Sequence, residues 1–220
     1  MELRALTFDV YGTLLDWENT WARAAQRMLT KYSSMVNANE FVRIWKSKTH
    51  ELGYKNYEKY VTLLPKGLAE TFRHYGIKGD PKHARLIIDN WSSMKPFPDV
   101  PPSLRKLKKH FALAIISNTD NQLIEKVLKV FGVNFEVVVT SEMARAYKPS
   151  PKIYETALKL LRYKASEVMH VARSQYDVAG AKSFGMKGTW VNRASETFQE
   201  EPLPDKQVSD LRELVEFLIE

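Results

Sequence analysis

Cysteine is absent from the chain, which excludes disulfides, thiolate metal sites and a cysteine nucleophile and leaves carboxylates, hydroxyls, lysines and histidines to carry any chemistry. Long apolar runs are absent too: nothing approaches the roughly 18 residues of a membrane-spanning helix, so no membrane partner is expected. The N-terminus leads straight into a strand-like segment, Leu3 to Val10, rather than a basic and then apolar targeting segment. A cytoplasmic protein is expected on these grounds. The five histidines, His50, His74, His83, His110 and His170, have no metal-ligand spacing, and His170, inside an apolar run, reads as a satisfied core residue. The chain is basic, with a formal charge of +7, but its lysines and arginines are scattered, and Lys106, Lys108 and Lys109 form the one tight cluster. With no aromatic-plus-basic stripe beside them, no nucleic-acid partner is expected, although a positive field helps gather a small anionic substrate.

What is present is an ordinary globular composition, 44% hydrophobic and 27% charged over 220 residues, enough for one domain or one domain with an insertion. After the first strand comes a stretch from about Asp16 to Met94 without strand-like runs. In it Trp17, Trp21, Ala24, Ala25 and Met28 recur at helical spacing, as do Phe41, Ile44 and Trp45, then Leu68, Phe72 and Tyr75, then Leu86, Ile87 and Trp91. Residues 16–95 are therefore expected to form a cap of about four helices. The proline-rich segment from Lys95 to Pro102 marks the return to a main domain of residues 1–15 and 96–220.

From there strands and helices alternate. Apolar strands are expected over Phe111 to Ile116, Phe135 to Val139, Glu167 to Ala172 and Gly188 to Val191. Helices are expected over about Ser103 to Lys109, through Ile124, Val127, Leu128 and Phe131, over Pro151 to Leu161 and Asp177 to Phe184, and through Val208, Leu211, Leu214, Val215 and Leu218. The pattern predicts an α/β fold, a doubly wound, Rossmann-like parallel sheet with a helical insertion after its first strand. In such sheets ligands bind beyond the carboxyl ends of the strands, which directs attention to Asp9 through Thr13, Ser117 to Asp120, Ser141 to Pro149 and Ala172 to Asp177.

A carboxylate closing a buried apolar strand, as Asp9 does, is unusual, and Gly12-Thr13 adds a flexible turn and a hydroxyl. Ser117 and Asn118 offer a hydroxyl and an amide at the next strand end. Lys148, extended by Pro149 behind it, can bring a cation to the same edge, and Asp177 opens a helix of small residues, Val178-Ala179-Gly180-Ala181.

Phe8-Asp9-Val10-Tyr11-Gly12-Thr13, Ser117-Asn118, Lys148-Pro149 and Asp177-Val178-Ala179-Gly180-Ala181 resemble, in order and spacing, the four motifs of the haloacid dehalogenase superfamily. The insertion resembles that superfamily's helical cap. Tyr11 stands where phosphatases of the superfamily carry a second Asp, and Arg173 where they carry a metal-side carboxylate. Tyrosine is a poor acid near neutrality, and a fixed guanidinium opposes a hard divalent ion.

The D-x-Y-G-T form is instead similar to the metal-free (S)-2-haloacid dehalogenase branch. That resemblance implies a cofactor-free hydrolase in which Asp9 displaces halide from a small 2-haloalkanoic acid and water then cleaves the ester. It further implies that Thr13 and Ser117 orient anionic oxygens, Lys148 compensates the carboxylate charge and Asp177 positions or activates water. Tyr11, Asn118, Lys46, Tyr154, Arg173 and Ser174 would bind substrate, with Tyr154 lining the site near Lys148, and a homodimer is plausible by the same analogy. The family's S-S-N-x-x-D appears here with Ala172, Arg173 and Ser174 before Asp177, and Lys46, after Trp45, replaces an Arg of the cap, with Arg43 a second candidate. Two alternatives stay open: a Mg²⁺-dependent phosphatase with an atypical metal site, and a catalytically impaired member that binds small anions.

Overall fold

The computed structural model describes residues 2–219. Its centre is β1 (Ala5–Phe8), an Ala-Leu-Thr-Phe run buried at every position, as a strand covered on both faces must be. It lies between β4 (Ala112–Ser117) and β6 (Val168–Ala172), parallel to both. Outside β4 runs β5 (Val137–Thr140), and outside β6 run β7 (Lys187–Val191) and β8 (Lys206–Val208). All pairings in this six-stranded sheet, ordered β5-β4-β1-β6-β7-β8, are parallel.

Alternation along the strands sends side chains to opposite faces. Leu6, Phe8, Leu113 and Ile115 join the core with α5 (Val100–Leu107) and α10 (Leu211–Ile219). Ala5, Ala114, Ile116 and Val139 pack beneath α8 (Pro151–Leu161), with Ala181 of α9 (Gln175–Ser183) in the same cluster. The parallel arrangement brings every strand's carboxyl end to one edge, so Asp9, Asn118 and Arg173 emerge side by side.

The insertion is helical, as the periodicity predicts. It holds α1 (Trp17–Lys31), α2 (Ala38–Lys55), α3 (Tyr60–His74) and the short α4 (Arg85–Asp89). Its two connections to the sheet are tied together by an antiparallel pair, β2 (Leu15–Asp16) with β3 (Lys95–Pro96). Asp16 caps α1 by accepting from the Asn19 amide, and Asn37 caps α2 through the amides of Asn39 and Glu40, as short polar side chains do. For α3 the cap residue is Lys59, which supplies no side-chain acceptor. The acceptor comes instead from the core: the Asp120 carboxylate, just before α6 (Asn121–Glu125), takes the Tyr60 and Val61 amides at 2.8 Å each. Trp21, Trp45 and Trp91, each nearly fully buried, meet at ring separations of 5.2 and 6.0 Å around Trp21.

Three features differ from the sequence pattern. The helix expected through Ile124 to Phe131 is broken into α6 and a 3₁₀ turn, Leu128–Phe131, because Val127 has φ −118°, outside the helical range. Leu123, Ile124, Val127 and Phe131 are all buried, so anchoring each of them sets the path rather than helical continuity. The other two, the β2–β3 pair and β8, are strands of two or three residues and carry no apolar run to reveal them; Val208, expected in the terminal helix, ends β8 instead, and the helix starts at Leu211. The short α7 (Ser141–Ala144) follows β5 directly. Among the described residues no helix is long and apolar enough to cross a membrane.

Candidate active site

Asp9 leaves β1 on a backbone N–H that donates to the Val171 carbonyl at 3.0 Å, so its carboxylate is aimed by the central strands. Gly12 turns the chain with φ +100°, and a Cβ there would sit 3.3 Å from Trp17 Nε1 and 3.5 Å from Arg173 Cδ. Both the left-handed backbone and the crowding call for glycine. The turn folds Thr13 back, and its fully buried hydroxyl donates to Asp9 Oδ2 at 2.7 Å while accepting from the Arg173 backbone N–H at 2.8 Å.

The other oxygen, Asp9 Oδ1, accepts from Lys148 Nζ at 2.8 Å. Lys148 is 1% exposed, and its three ammonium protons have three acceptors: Asp9, the Ile116 carbonyl at 2.9 Å and Asp177 Oδ2. Burial alone would depress this lysine, but Asp177 and Asp9 override it and leave its pKa raised. Its loop is locked by Asn118, whose Oδ1 accepts from the Lys148 N–H at 2.7 Å and whose amide donates to the Lys148 carbonyl at 3.2 Å. From the far side α9 closes in at Gly180, where a Cβ would lie 2.6 Å from Pro149 Cβ and 3.0 Å from the Tyr154 hydroxyl. Glycine at 180 is therefore required by the approach of this helix to Pro149 and Tyr154.

Asp177, 1% exposed, stands behind Lys148. Its Oδ1 accepts from the Tyr154 hydroxyl at 2.8 Å and lies 3.0 Å from His170 Nε2. Burial opposes its ionisation, yet the charges of His170 and Lys148 hold the carboxyl well below the usual carboxylate range.

In front of Asp9 a cavity of about 30 Å³ opens between the sheet edge and the cap. The core contributes Asp9, Tyr11, Asn118, Lys148, Ser174 and Tyr176, and the cap Lys46, His50, Tyr60 and Trp91. Trp91 Nε1 donates to the Tyr11 hydroxyl at 2.9 Å, and burial pushes Tyr11 far above its ordinary value, so Tyr11 is a neutral wall and not an acid. Lys46 Nζ lies 4.1 Å above the Trp17 ring, and its pKa is lowered to about 8 by burial, with Asp9 opposing and Arg173 assisting. His50, one turn along α2, is lowered to about 3 by burial and by the charges of Lys46 and Lys148. It is neutral at physiological pH and too weak a base to activate water there.

Of the residues singled out in the sequence, Asp9, Tyr11, Lys46, Asn118, Lys148 and Ser174 therefore meet at one cavity, with Thr13 directly behind Asp9. Ser117 is close in sequence to this group but fully buried, its hydroxyl without a hydrogen-bond partner and outside the cavity lining. Two placements correct the sequence reading. Tyr154 does not line the site; it points at Asp177 from α8, because its position on that helix faces the core. Arg173 is turned away from Asp9, its guanidinium donating to Glu18 Oε1 at 2.9 Å and lying 3.8 Å from Glu196. With the largely exposed Arg43, itself 3.8 Å from Glu18, it lines a separate cavity of about 310 Å³. Arg173 thus forms an ion pair with Glu18 and does not reach into the cavity in front of Asp9.

His50, Tyr60 and Trp91 were not visible as site residues, since each sits on a helix whose spacing signals only packing. His170 was visible only as a satisfied core residue; its Nδ1 is hydrogen-bonded with the Thr7 hydroxyl at 2.9 Å, and its Nε2 approaches Asp177. A divalent cation does not fit the donor set: the ammonium of Lys148 occupies the space between the two carboxylates, and Thr13 and Tyr154 take further oxygens. Among the described residues no group of three or more His, Asp or Glu side chains is placed to hold a metal.

The profile of the haloacid dehalogenase-like hydrolases matches residues 6–191. The chain belongs to this family. Among curated members it is 29% identical to an (S)-2-haloacid dehalogenase of Pseudomonas sp. (strain YL), over 97% of this chain and 94% of that one. It is 28% identical to the haloacetate dehalogenase H-2 of Moraxella sp. (strain B), over 90% of each. A dehalogenase crystal structure with an intermediate complex superposes with TM-score 0.86 at 26% identity, covering 100% of this chain and 98% of the other. The chain is thus a hydrolase of that α/β fold.

Proposed function

We propose that this hydrolase dehalogenates a small 2-haloalkanoic acid through an ester on Asp9, with the (S) enantiomer as substrate by analogy with the (S)-2-haloacid dehalogenase among its relatives. The observation that carries the reading is the presentation of Asp9. One oxygen is held by Thr13, the other by Lys148, and Asp9 lines a small cavity together with the aromatic rings of Tyr11, Tyr60, Trp91 and Tyr176. These rings limit the hydration of the carboxylate, which favours its attack on a carbon–halogen bond. Lys46 supplies the cation for the substrate carboxylate.

In the first step an Asp9 oxygen bonds to the α-carbon as the carbon–halogen bond breaks and halide leaves with the electron pair. In the second, water adds to the Asp9 carbonyl carbon, the ester bond to the 2-hydroxy acid breaks, and one proton is released with the product. Once Asp9 is esterified it carries no charge, so Lys148 is free to donate to the ester carbonyl and stabilise the developing oxyanion. Asp177, with both oxygens engaged away from the cavity, acts through Lys148. His50 and Asp177 are both weak bases, so neither is suited to activate the attacking water.

The test is halide release from (S)-2-chloropropionate with and without EDTA, in wild type and Asp9→Asn. The reading predicts release that EDTA does not affect and that Asp9→Asn abolishes. Release of phosphate from p-nitrophenyl phosphate that strictly requires Mg²⁺, without halide release, would replace it with the phosphatase alternative.

A further inference from the structure

His170 is fully buried in β6 and sits directly across the ladder from Thr7 of β1. Its Nδ1 lies 2.9 Å from the Thr7 hydroxyl, and its Nε2 lies 3.0 Å from Asp177 Oδ1, oblique to a straight hydrogen bond. The Tyr154 ring stands edge-on at 5.8 Å. A neutral ring protonated only at Nδ1 would turn the Nε2 lone pair toward a carboxylate 3.0 Å away. That contact is repulsive, so Nε2 carries a proton.

Charge decides between the two remaining forms. Asp9, Asp177 and Lys148 are contiguous and buried, two anions against one cation, with Lys46 adding charge only from the cavity side, by Asp9; a buried charge such as Asp177 without a counterpart of its own is costly. A second proton on His170, shared with the Thr7 oxygen, brings the four-group cluster to neutrality. The groups facing it are Thr7 from β1, Asp177 from α9 and Tyr154 from α8, with Lys148 on the far side of Asp177. None but Asp177 carries a charge adjacent to the ring.

We propose that His170 is a positioning residue of this site: as an imidazolium it supplies the second positive charge that holds Asp177 ionised and so leaves Lys148 to serve Asp9. The chain of contact runs His170, Asp177, Lys148, Asp9. Without the first member, Asp177 either competes more strongly for Lys148 and draws it from the nucleophile, or takes up a proton and no longer anchors the lysine against Asp9. The proposal deepens the dehalogenase reading and rests on it for its kinetic arm alone.

The experiment combines nuclear magnetic resonance with kinetics on the full chain. With ¹⁵N-labelled histidine, assigned by difference against His170→Gln, the ring of His170 is expected to show both nitrogens protonated at neutral pH. With ¹³C-carboxyl-labelled aspartate, His170→Phe is expected to raise the titration of Asp177 by about one pH unit or more, and His170→Gln, which keeps an N–H donor without the charge, by less. On (S)-2-chloropropionate, kcat of the Phe variant falls at least tenfold and its acid limb moves to higher pH, while KM changes less than twofold. A merely structural histidine would lower the melting temperature and leave the acid limb in place. Should the Phe variant not fold, the Gln variant decides by the same titration. A neutral His170 in wild type, or an Asp177 titration unmoved in the folded variants, overturns the proposal. Absence of halide release from wild type would instead overturn the dehalogenase reading, and the two resonance arms would still decide the role of His170.

Discussion

At the scale of single residues the site depends on Lys148, the one cation lying between two buried carboxylates. Removing one partner of a buried ion pair costs about 3–5 kcal/mol, because the remaining charge is stranded. Lys148→Met is therefore expected to lose about that much stability in urea denaturation, and activity with it. A variant as stable as wild type would show that the carboxylates find other partners. Lys46 makes a separate prediction through its sign. Its pKa is lowered to about 8, so the cation that binds the substrate carboxylate is present below that pH and lost above it. KM should rise as pH passes 8 while kcat changes little, and Lys46→Arg, which stays charged, should keep KM flat to higher pH. A KM for the lysine enzyme independent of pH between 7 and 10 would remove Lys46 from binding. Asp9, Lys148 and Asn118 were legible in the sequence because each terminates or follows a strand in a chain of alternating elements. Tyr154 and Arg173 were misplaced because strand ends specify an edge of the sheet and not the direction of a side chain, which helix rotation and a nearby Glu18 decide.

At the scale of elements, the way the insertion is fastened to the sheet was the least legible feature. The four helices follow from spacing, but Asp120 caps α3 from 60 residues away, and only the lack of any acceptor at Lys59 hinted at a distant one. Loss of an N-cap carboxylate costs about 0.5–2 kcal/mol. Asp120→Ala should lower stability by that amount and, because Tyr60 is the first residue of the capped helix and lines the cavity, should raise KM several-fold. A drop in stability with unchanged KM would mean that α3 stays docked through its apolar face. Strands β2, β3 and β8 escaped the sequence for a physical reason: two or three residues cannot display a period.

At the scale of the whole molecule, the buried charges give stability a definite pH dependence. The carboxyl of Asp177 is held well below its usual 3.8, so the unfolded chain binds the proton more readily. The stabilisation is complete above the ordinary carboxylate range and is lost as pH falls below it. Acid unfolding monitored by circular dichroism should be less steep in Asp177→Asn than in wild type. An unchanged acid limb would show that other carboxylates govern it. Overall architecture was the part best read from sequence, since a parallel sheet with a helical insertion needs only the order of apolar runs. The cavity itself was not, because four of its ten lining residues come from the helical insertion, where inward residues are indistinguishable from core until the insertion is in place.

The central claim is that Asp9 forms an ester which water cleaves at the carboxyl carbon. Repeated turnover of (S)-2-chloropropionate in H₂¹⁸O, followed by mass spectrometry of the peptide containing Asp9, should show ¹⁸O in that aspartate. Label found in the 2-hydroxy acid with none in Asp9 would mean that water attacks the substrate directly, and would contradict the account.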